Sequence, residues 1–193
     1  SEWASPTVYV EKPNGDIRIC SDFKNTLNPQ ILIDSHPLPH IDDMLAELAG
    51  SKYFVKLDMS RFYEQIVVDE ESRELLTINT HLGLFRSKRL SYGVASAPAI
   101  GQRTMEKLLQ GVVDSCSSFA RALCFIDDVL LASDSQEGLM ELTRKVLERF
   151  RAAGARVNQA KCEWGTTKTK YLGFLIGEKG VEADPEKVEC ILK

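Results

Sequence analysis

Histidine and cysteine are scarce in this 193-residue sequence, at three and five residues, and neither type is spaced for a metal or a disulfide frame. The cysteines (Cys20, Cys116, Cys124, Cys162 and Cys190) are odd in number and form no C-x-x-C pair. That excludes a zinc knuckle and leads us to expect a reduced, intracellular protein. His36 and His40 stand four apart, a ligand spacing on a helix, but Pro37 and Pro39 prevent that helix. No apolar run approaches the roughly 18 residues of a membrane span and no signal peptide opens the chain, so no membrane partner is expected. G-x-G-x-x-G and Walker loops are missing as well, which removes the nucleotide-binding parallel sheets. Nor is there an excess of positive charge. With 24 Lys and Arg against 28 Asp and Glu the net charge is -4, a sum that by itself argues weakly against a nucleic-acid partner.

What the chain does contain is an ordinary globular composition, 44% hydrophobic and 27% charged, with enough length for one sizeable core. Its cations gather at Arg86, Lys88 and Arg89 and again from Arg149 to Lys170. Such runs are solvated faces unless something else calls for a phosphate-tracking surface. Thr7-Val8-Tyr9-Val10 and Ile17-Arg18-Ile19-Cys20 flank a Pro13-Asn14-Gly15-Asp16 turn, a hairpin with Lys12 and Arg18 beside its tip. A helix is expected from Ile41 to about Ala49, capped by Asp42-Asp43, and a strand from Tyr53 to Met59. Asp69 opens a further helix, and Leu75 to Asn79 pairs with Leu84 to Leu90. Ser96 caps a helix to about Gln110. Ser135 caps a longer one with Leu139, Leu142, Val146, Phe150 and Ala153 as its apolar stripe and Gly154 as its stop. Short strands near Arg156-Val157 and over Tyr171 to Ile176, then a helix from Asp184-Pro185, complete the order. The class is α+β: a twisted sheet with antiparallel neighbours and helices packed on one face.

The chemistry lies in Asp127-Asp128, set between the apolar runs Leu123–Ile126 and Val129–Ala132. The runs read as paired buried strands with the two carboxylates at the turn between them. Ionised carboxylates at the tip of an apolar hairpin need a compensating cation or partner charge; the plain alternative is that Asp simply suits a turn. A third carboxylate, Asp58, ends the strand from Tyr53, 127 − 58 = 69 residues earlier, so only the fold can bring the three together. Three such groups suit two hard divalent cations, Mg²⁺ with Mn²⁺ able to substitute, about 4 Å apart and serving an in-line displacement at phosphorus. Polymerases and two-metal nucleases share that arrangement. The spacing does not choose between them.

Further blocks surround these carboxylates. In order they are Ser1-x-Trp3-Ala4-Ser5-Pro6 with Arg18-x-Cys20-x-Asp22-Phe23, then His36-Pro37-Leu38-Pro39-x-Ile41-Asp42-Asp43-Met44-Leu45, then Lys56-Leu57-Asp58-Met59 with Tyr63-x-Gln65-Ile66. Gly93-Val94-Ala95-Ser96-Ala97-Pro98-Ala99 with Gln102-Arg103-x-Met105 follows, then Phe125-Ile126-Asp127-Asp128. Lys161-Cys162-Glu163 with Tyr171-Leu172-Gly173, and Asp184-Pro185-x-Lys187-Val188, close the series. Together they resemble the reverse transcriptases of gypsy-like long-terminal-repeat retrotransposons, and more distantly those of retroviruses. The resemblance implies a right-hand polymerase, with fingers at about 1–33 and 66–96, palm at about 34–65 and 97–179, and the start of a thumb connection at 180–193. It implies that Asp58, Asp127 and Asp128 hold two metals with the Met59 carbonyl, and that Lys12 and Arg18 clamp an incoming deoxynucleoside triphosphate. The backbone of Arg61-Phe62 would lie against its phosphates, Tyr63 beneath its sugar, and Tyr92-Gly93 beside nucleotide and template. Leu172-Gly173 would grip the primer end. The implied partners are an RNA or DNA template with its primer, with RNase H and integrase regions elsewhere in a parent polyprotein.

Some positions depart from the resemblance. Phe62 stands where the family has Gly or Ala, and a phenyl ring there is expected to crowd the phosphates. Gly101 stands where it has Phe, which removes an aromatic from the core and costs roughly 1 kcal/mol of helix propensity. Ser91-Tyr92 replaces Pro-Phe, and Phe125 replaces Tyr. Such losses keep a second reading open, a decayed or repurposed copy that only binds nucleic acid or a protein.

Overall fold

In the computed structural model, residues 4–11, 15, 17–116 and 118–185 are described. In chain order the elements are β1 (Ser5–Glu11), β2 (Ile17–Ser21), α1 (Ile41–Glu47), β3 (Tyr53–Asp58), α2 (Phe62–Gln65), α3 (Glu70–Arg73), β4 (Thr77–Thr80), β5 (Gly83–Arg86) and α4 (Ala97–Leu109). There follow β6 (Ala120–Phe125), β7 (Asp128–Ser133), α5 (Gln136–Ala153), β8 (Glu163–Thr166), β9 (Lys168–Tyr171), β10 (Phe174–Gly177) and β11 (Gly180–Ala183). The class is α+β, and every strand pairing but one is antiparallel among the described residues. The chain divides into two compact units, Ser1–Pro37 with Arg61–Gly101, and Leu38–Ser60 with Gln102–Lys193.

The first unit is built on the sheet β2-β1-β4-β5. The sequence-derived hairpin forms with Glu11 opposite Ile17, and β1 also runs parallel to β4 over Ser5 and Pro6. Phe23, Leu27, Leu76, Leu90, Val94 and Ala97 make its core. Asp69 caps α3 as its sequence suggests, its Oδ1 accepting the Ser72 N–H at 2.9 Å. Ser96 spends its hydroxyl elsewhere than expected: Oγ accepts the Asp34 N–H at 3.0 Å.

In the second unit the sheet order is β6-β7-β3-β8. From Val129 to Ser133 every residue of β7 is buried, which explains why its sequence is an unbroken apolar run rather than an alternation. Side chains alternate across the sheet. Phe54, Leu123, Leu130 and Ala132 join Met44 of α1 and its C-cap Leu48 with Tyr171 and Ile176 in one cluster. α5 packs on β7 and β3 and buries Leu139, Leu142, Val146 and Phe150. Ser135 Oγ accepts the Gly138 N–H at 3.2 Å and Gly154 closes the helix at φ 72°. Ala153, expected on the apolar stripe, is exposed in the last turn.

Other expectations shift for identifiable reasons. Asp42-Asp43 is not the cap: His40 holds that position, and the two acids lie in the first turn, where they favour the helix dipole. The strand expected over Tyr171–Ile176 is broken into a hairpin, because Leu172 (φ 51°) and Gly173 (φ 87°) both turn left-handed. β8 has too little apolar pattern to be read from sequence, yet pairs with β3. Val157 forms only a single bridge, to Met59. The helix expected from Asp184-Pro185 lies, beyond Pro185, outside the described residues. Among the described residues no helix is long and apolar enough to cross a membrane.

Candidate active site

The antiparallel register of β3 and β7 makes Asp58 and Asp128 direct cross-strand partners. Phe125 pairs with Asp128 across β6 and β7, so the two-residue turn is Ile126-Asp127. The turn therefore sits one residue earlier than its sequence suggests, and Asp128 opens the strand. Three carboxylates from positions 58, 127 and 128 thus share one end of one sheet. The chain leaving β3 is tied on both sides: Met59 N–H donates to Asp127 O at 3.2 Å, and Asp58 O accepts the Asn158 N–H at 2.8 Å.

Two ammonium groups face these carboxylates. Lys56 Nζ lies 3.9 Å from Asp128 Oδ1 and donates to Lys170 O at 3.1 Å, and Lys161 Nζ lies 3.8 Å from Asp58 Oδ2. Burial pushes the Asp128 carboxyl up; Lys56 pulls against that, and the charges of Asp127 and Asp58 push it further. Among the described residues no three His, Cys, Asp or Glu side chains are already gathered as a metal cage. The donor set nevertheless suits a hard cation: it is all oxygen, and its like charges repel one another in a half-buried place.

The turn is strained and held. Ile126 has φ 57°, a conformation that β-branched residues rarely adopt. Gln102 on α4, 1% exposed, accepts the Ile126 N–H on Oε1 at 2.8 Å while its Nε2 donates to Cys124 O at 3.0 Å and Glu106 Oε1 at 2.9 Å. From beyond β7, Tyr171 OH donates to Asp128 O at 3.4 Å. Neither role was legible in the sequence, where both residues are merely parts of blocks. The available signal was the placing of Gln102 three and seven residues before Met105 and Leu109, on the core side of the helix.

The first unit carries the residues expected at the incoming nucleotide. Arg61 is left-handed (φ 45°, ψ 55°) at the start of α2, and its side chain is exposed beside Glu64. Phe62 turns inward and is 4% exposed. Its ring does not stand in solvent beside the Arg61-Phe62 backbone, where it was expected to crowd phosphates; it packs over Gly101. Tyr63 lies 5.6 Å from the Phe62 ring centre and meets Tyr92 edge-on at 5.1 Å. Gly93 is required by φ 93° and by space, since a Cβ would stand 2.9 Å from Ser21 O. Asn28, which sequence reasoning missed, clasps this loop, Nδ2 donating to Gly93 O and Oδ1 accepting the Ala95 N–H, each at 2.9 Å. Arg18 is on β2 opposite Val10, and Lys12 lies outside the described residues. Leu172-Gly173, in the second unit, is the turn between β9 and β10.

Residues 10–176 match the family described as reverse transcriptase (RNA-dependent DNA polymerase). This chain belongs to the reverse transcriptase family. An uncharacterized protein of Caenorhabditis elegans, K02A2.6, is 34% identical over 193 residues, and the Tf2-3 transposon polyprotein of Schizosaccharomyces pombe is 31% identical over 190. Those alignments take in 99% and 98% of the reverse transcriptase chain but only 14% of each relative. Among solved structures, the foamy viral protease-reverse transcriptase superposes with a TM-score of 0.87 in its complex with double-stranded DNA and 0.85 in that with an RNA/DNA hybrid. Both cover 98% of this chain, and 32% and 25% of theirs, at 20% and 19% identity. The right-hand polymerase fold is therefore that of this reverse transcriptase chain too.

Proposed function

We propose that this chain is the fingers and palm of an RNA-directed DNA polymerase from a gypsy-like retrotransposon polyprotein, the first unit being fingers and the second palm. It extends a primer 3′-hydroxyl on an RNA or DNA template with deoxynucleoside triphosphates, releasing pyrophosphate. The observation that carries this reading is the cross-strand Asp58–Asp128 pair with Asp127 in the adjoining turn, in a chain of this family. Double-stranded DNA and the RNA/DNA hybrid held by the foamy viral enzyme are the models for its partners.

In this reading Asp58, Asp127 and Asp128, with the Met59 carbonyl, hold divalent cations, Mg²⁺ or Mn²⁺. When bound, the cations neutralise the triphosphate and lower the pKa of the primer hydroxyl. The protein's part is placement. The Gln102 amide and the Met59 N–H fix the turn that carries Asp127, and β3–β7 pairing fixes Asp58 against Asp128. Lys56 and Lys161 steady the carboxylates before the cations arrive. In the fingers, the Arg61-Phe62 backbone lies against the phosphates, joined there by Lys12 and Arg18. Tyr63 faces the sugar and rejects a 2′-hydroxyl, Tyr92-Gly93 borders the base pair, and Leu172-Gly173 of the palm steadies the primer end.

Primer extension on an RNA template, with Mg²⁺ and separately with Mn²⁺, tests the reading beside an Asp127→Asn control. Extension abolished by Asp127→Asn supports it. Folded protein that extends no primer with either cation overturns it in favour of a copy that only binds.

A further inference from the structure

Phe62 and Gly101 occupy each other's space. A Cβ placed on Gly101 would lie 2.8 Å from Phe62 Cε1 and 3.1 Å from Tyr63 Cε1, inside the contact distance of carbon atoms. Gly101 sits in α4, where glycine is a poor helix former, and it is not among the residues with positive φ. Backbone conformation therefore does not call for glycine there. Space does. Arg61, left-handed, delivers Phe62 inward to fill it.

The consequence reaches Tyr63. Its ring is bounded by Phe62 at 5.6 Å and 40°, by the α4 backbone at Gly101, and by Tyr92 at 5.1 Å and 77°. Tyr63 also packs against the first unit's core, but a side chain at 101 would push both Phe62 and Tyr63, and loss of the Phe62 ring would open the side of Tyr63 that faces α4. We propose that Phe62 and Gly101 are a matched pair that positions the Tyr63 ring and through it sets discrimination between deoxyribo- and ribonucleoside triphosphates. The inference rests on the sugar-facing role proposed for Tyr63. Phe62 is a positioning residue in it, and the two sequence departures are one exchange of volume rather than two losses.

Single-nucleotide insertion by the 193-residue chain on an RNA template, with a deoxyribonucleotide and the matching ribonucleotide, tests it in Tyr63→Ala, Phe62→Ala and Phe62→Ala/Gly101→Phe. Phe62→Ala should lower the ratio of kcat/KM values on the order of tenfold, mainly by lowering KM for the ribonucleotide, and the double variant should recover part of it. A ratio that shifts in Tyr63→Ala and stays in Phe62→Ala overturns the matched pair and leaves the Tyr63 role standing. A ratio unmoved by Tyr63→Ala removes that role and this inference with it. Thermal unfolding reads the pairing without turnover. Gly101→Ala should lower Tm distinctly more in the native chain than in Phe62→Ala, where only the Tyr63 ring at 3.1 Å still has to give way and the better helix former offsets it. Equal shifts in the two backgrounds overturn the pairing.

Discussion

The side-chain carbonyl of Gln102 accepts the N–H of Ile126 at 2.8 Å, so a buried amide on α4 grips the one left-handed, β-branched residue of the carboxylate-bearing turn. The strain at Ile126 and the bonds from Gln102 belong to one device. Left to itself, a two-residue turn with isoleucine at φ 57° would relax, and Asp127 would move with it.

Gln102→Leu should therefore cost about 2–4 kcal/mol, because the Ile126 N–H and the Cys124 carbonyl lose their partner. Ile126→Gly in that background should recover roughly 1 kcal/mol by removing the left-handed penalty. Urea denaturation of the two variants measures both. Additive effects, with no recovery, would show that clamp and turn are independent.

Divalent cations should stabilise the folded chain if the three carboxylates hold them, since a ligand bound only to the native state raises stability by mass action. Mn²⁺ titration followed by Tm should show a saturating rise that Asp58→Asn and Asp127→Asn each abolish. A rise preserved in both variants would place the cation elsewhere.

Lys56 competes with a cation for Asp128, its Nζ standing 3.9 Å from the carboxylate. Lys56→Met removes that positive charge, so the half-saturating Mn²⁺ concentration in the same titration should fall several-fold. The unliganded chain should at the same time lose stability, because Lys56 also donates to Lys170 O from a largely buried position. Weaker cation binding in this variant would mean that the ammonium's steadying of the carboxylates outweighs its competition with the cation.

Cys124 is the one described cysteine that is buried. Burial first, then the charge of Glu106, pushes its thiol up to about 12 from an ordinary 9.0, against a small opposing effect of Gln102. The native state thus holds this proton more tightly than the unfolded chain. Its contribution to stability is whole below pH 9 and drains away as pH rises towards 12. Native protein at pH 8 should leave Cys124 unalkylated by iodoacetamide while unfolded protein does not, as peptide mass analysis reads directly. Cys124→Ala should flatten the alkaline loss of stability over that same interval.

How much was legible in advance depended on what kind of interaction set each feature. The hairpin of β6 and β7 was plain because its apolar runs and acidic tip are local and contiguous. The cap at Ser135 and stop at Gly154 were plain because capping is chemistry between near neighbours. β8 was invisible because a short, polar strand owes its existence to the edge of β3. The break at Leu172 was missed because leucine gives no sign of a left-handed turn; the hairpin around it imposes one.

By itself the sequence determined the residue types: which carboxylates exist, which runs are apolar, and in what order the blocks fall. Tertiary structure alone decided their meaning at two places. Register placed Asp58 opposite Asp128 across 69 intervening positions, since strand pairing is a long-range choice that no local propensity contains. Packing turned Phe62 and Gly101 from two apparent defects into one fit, because close-packed volume is conserved by the space residues share rather than by the positions they hold in the chain.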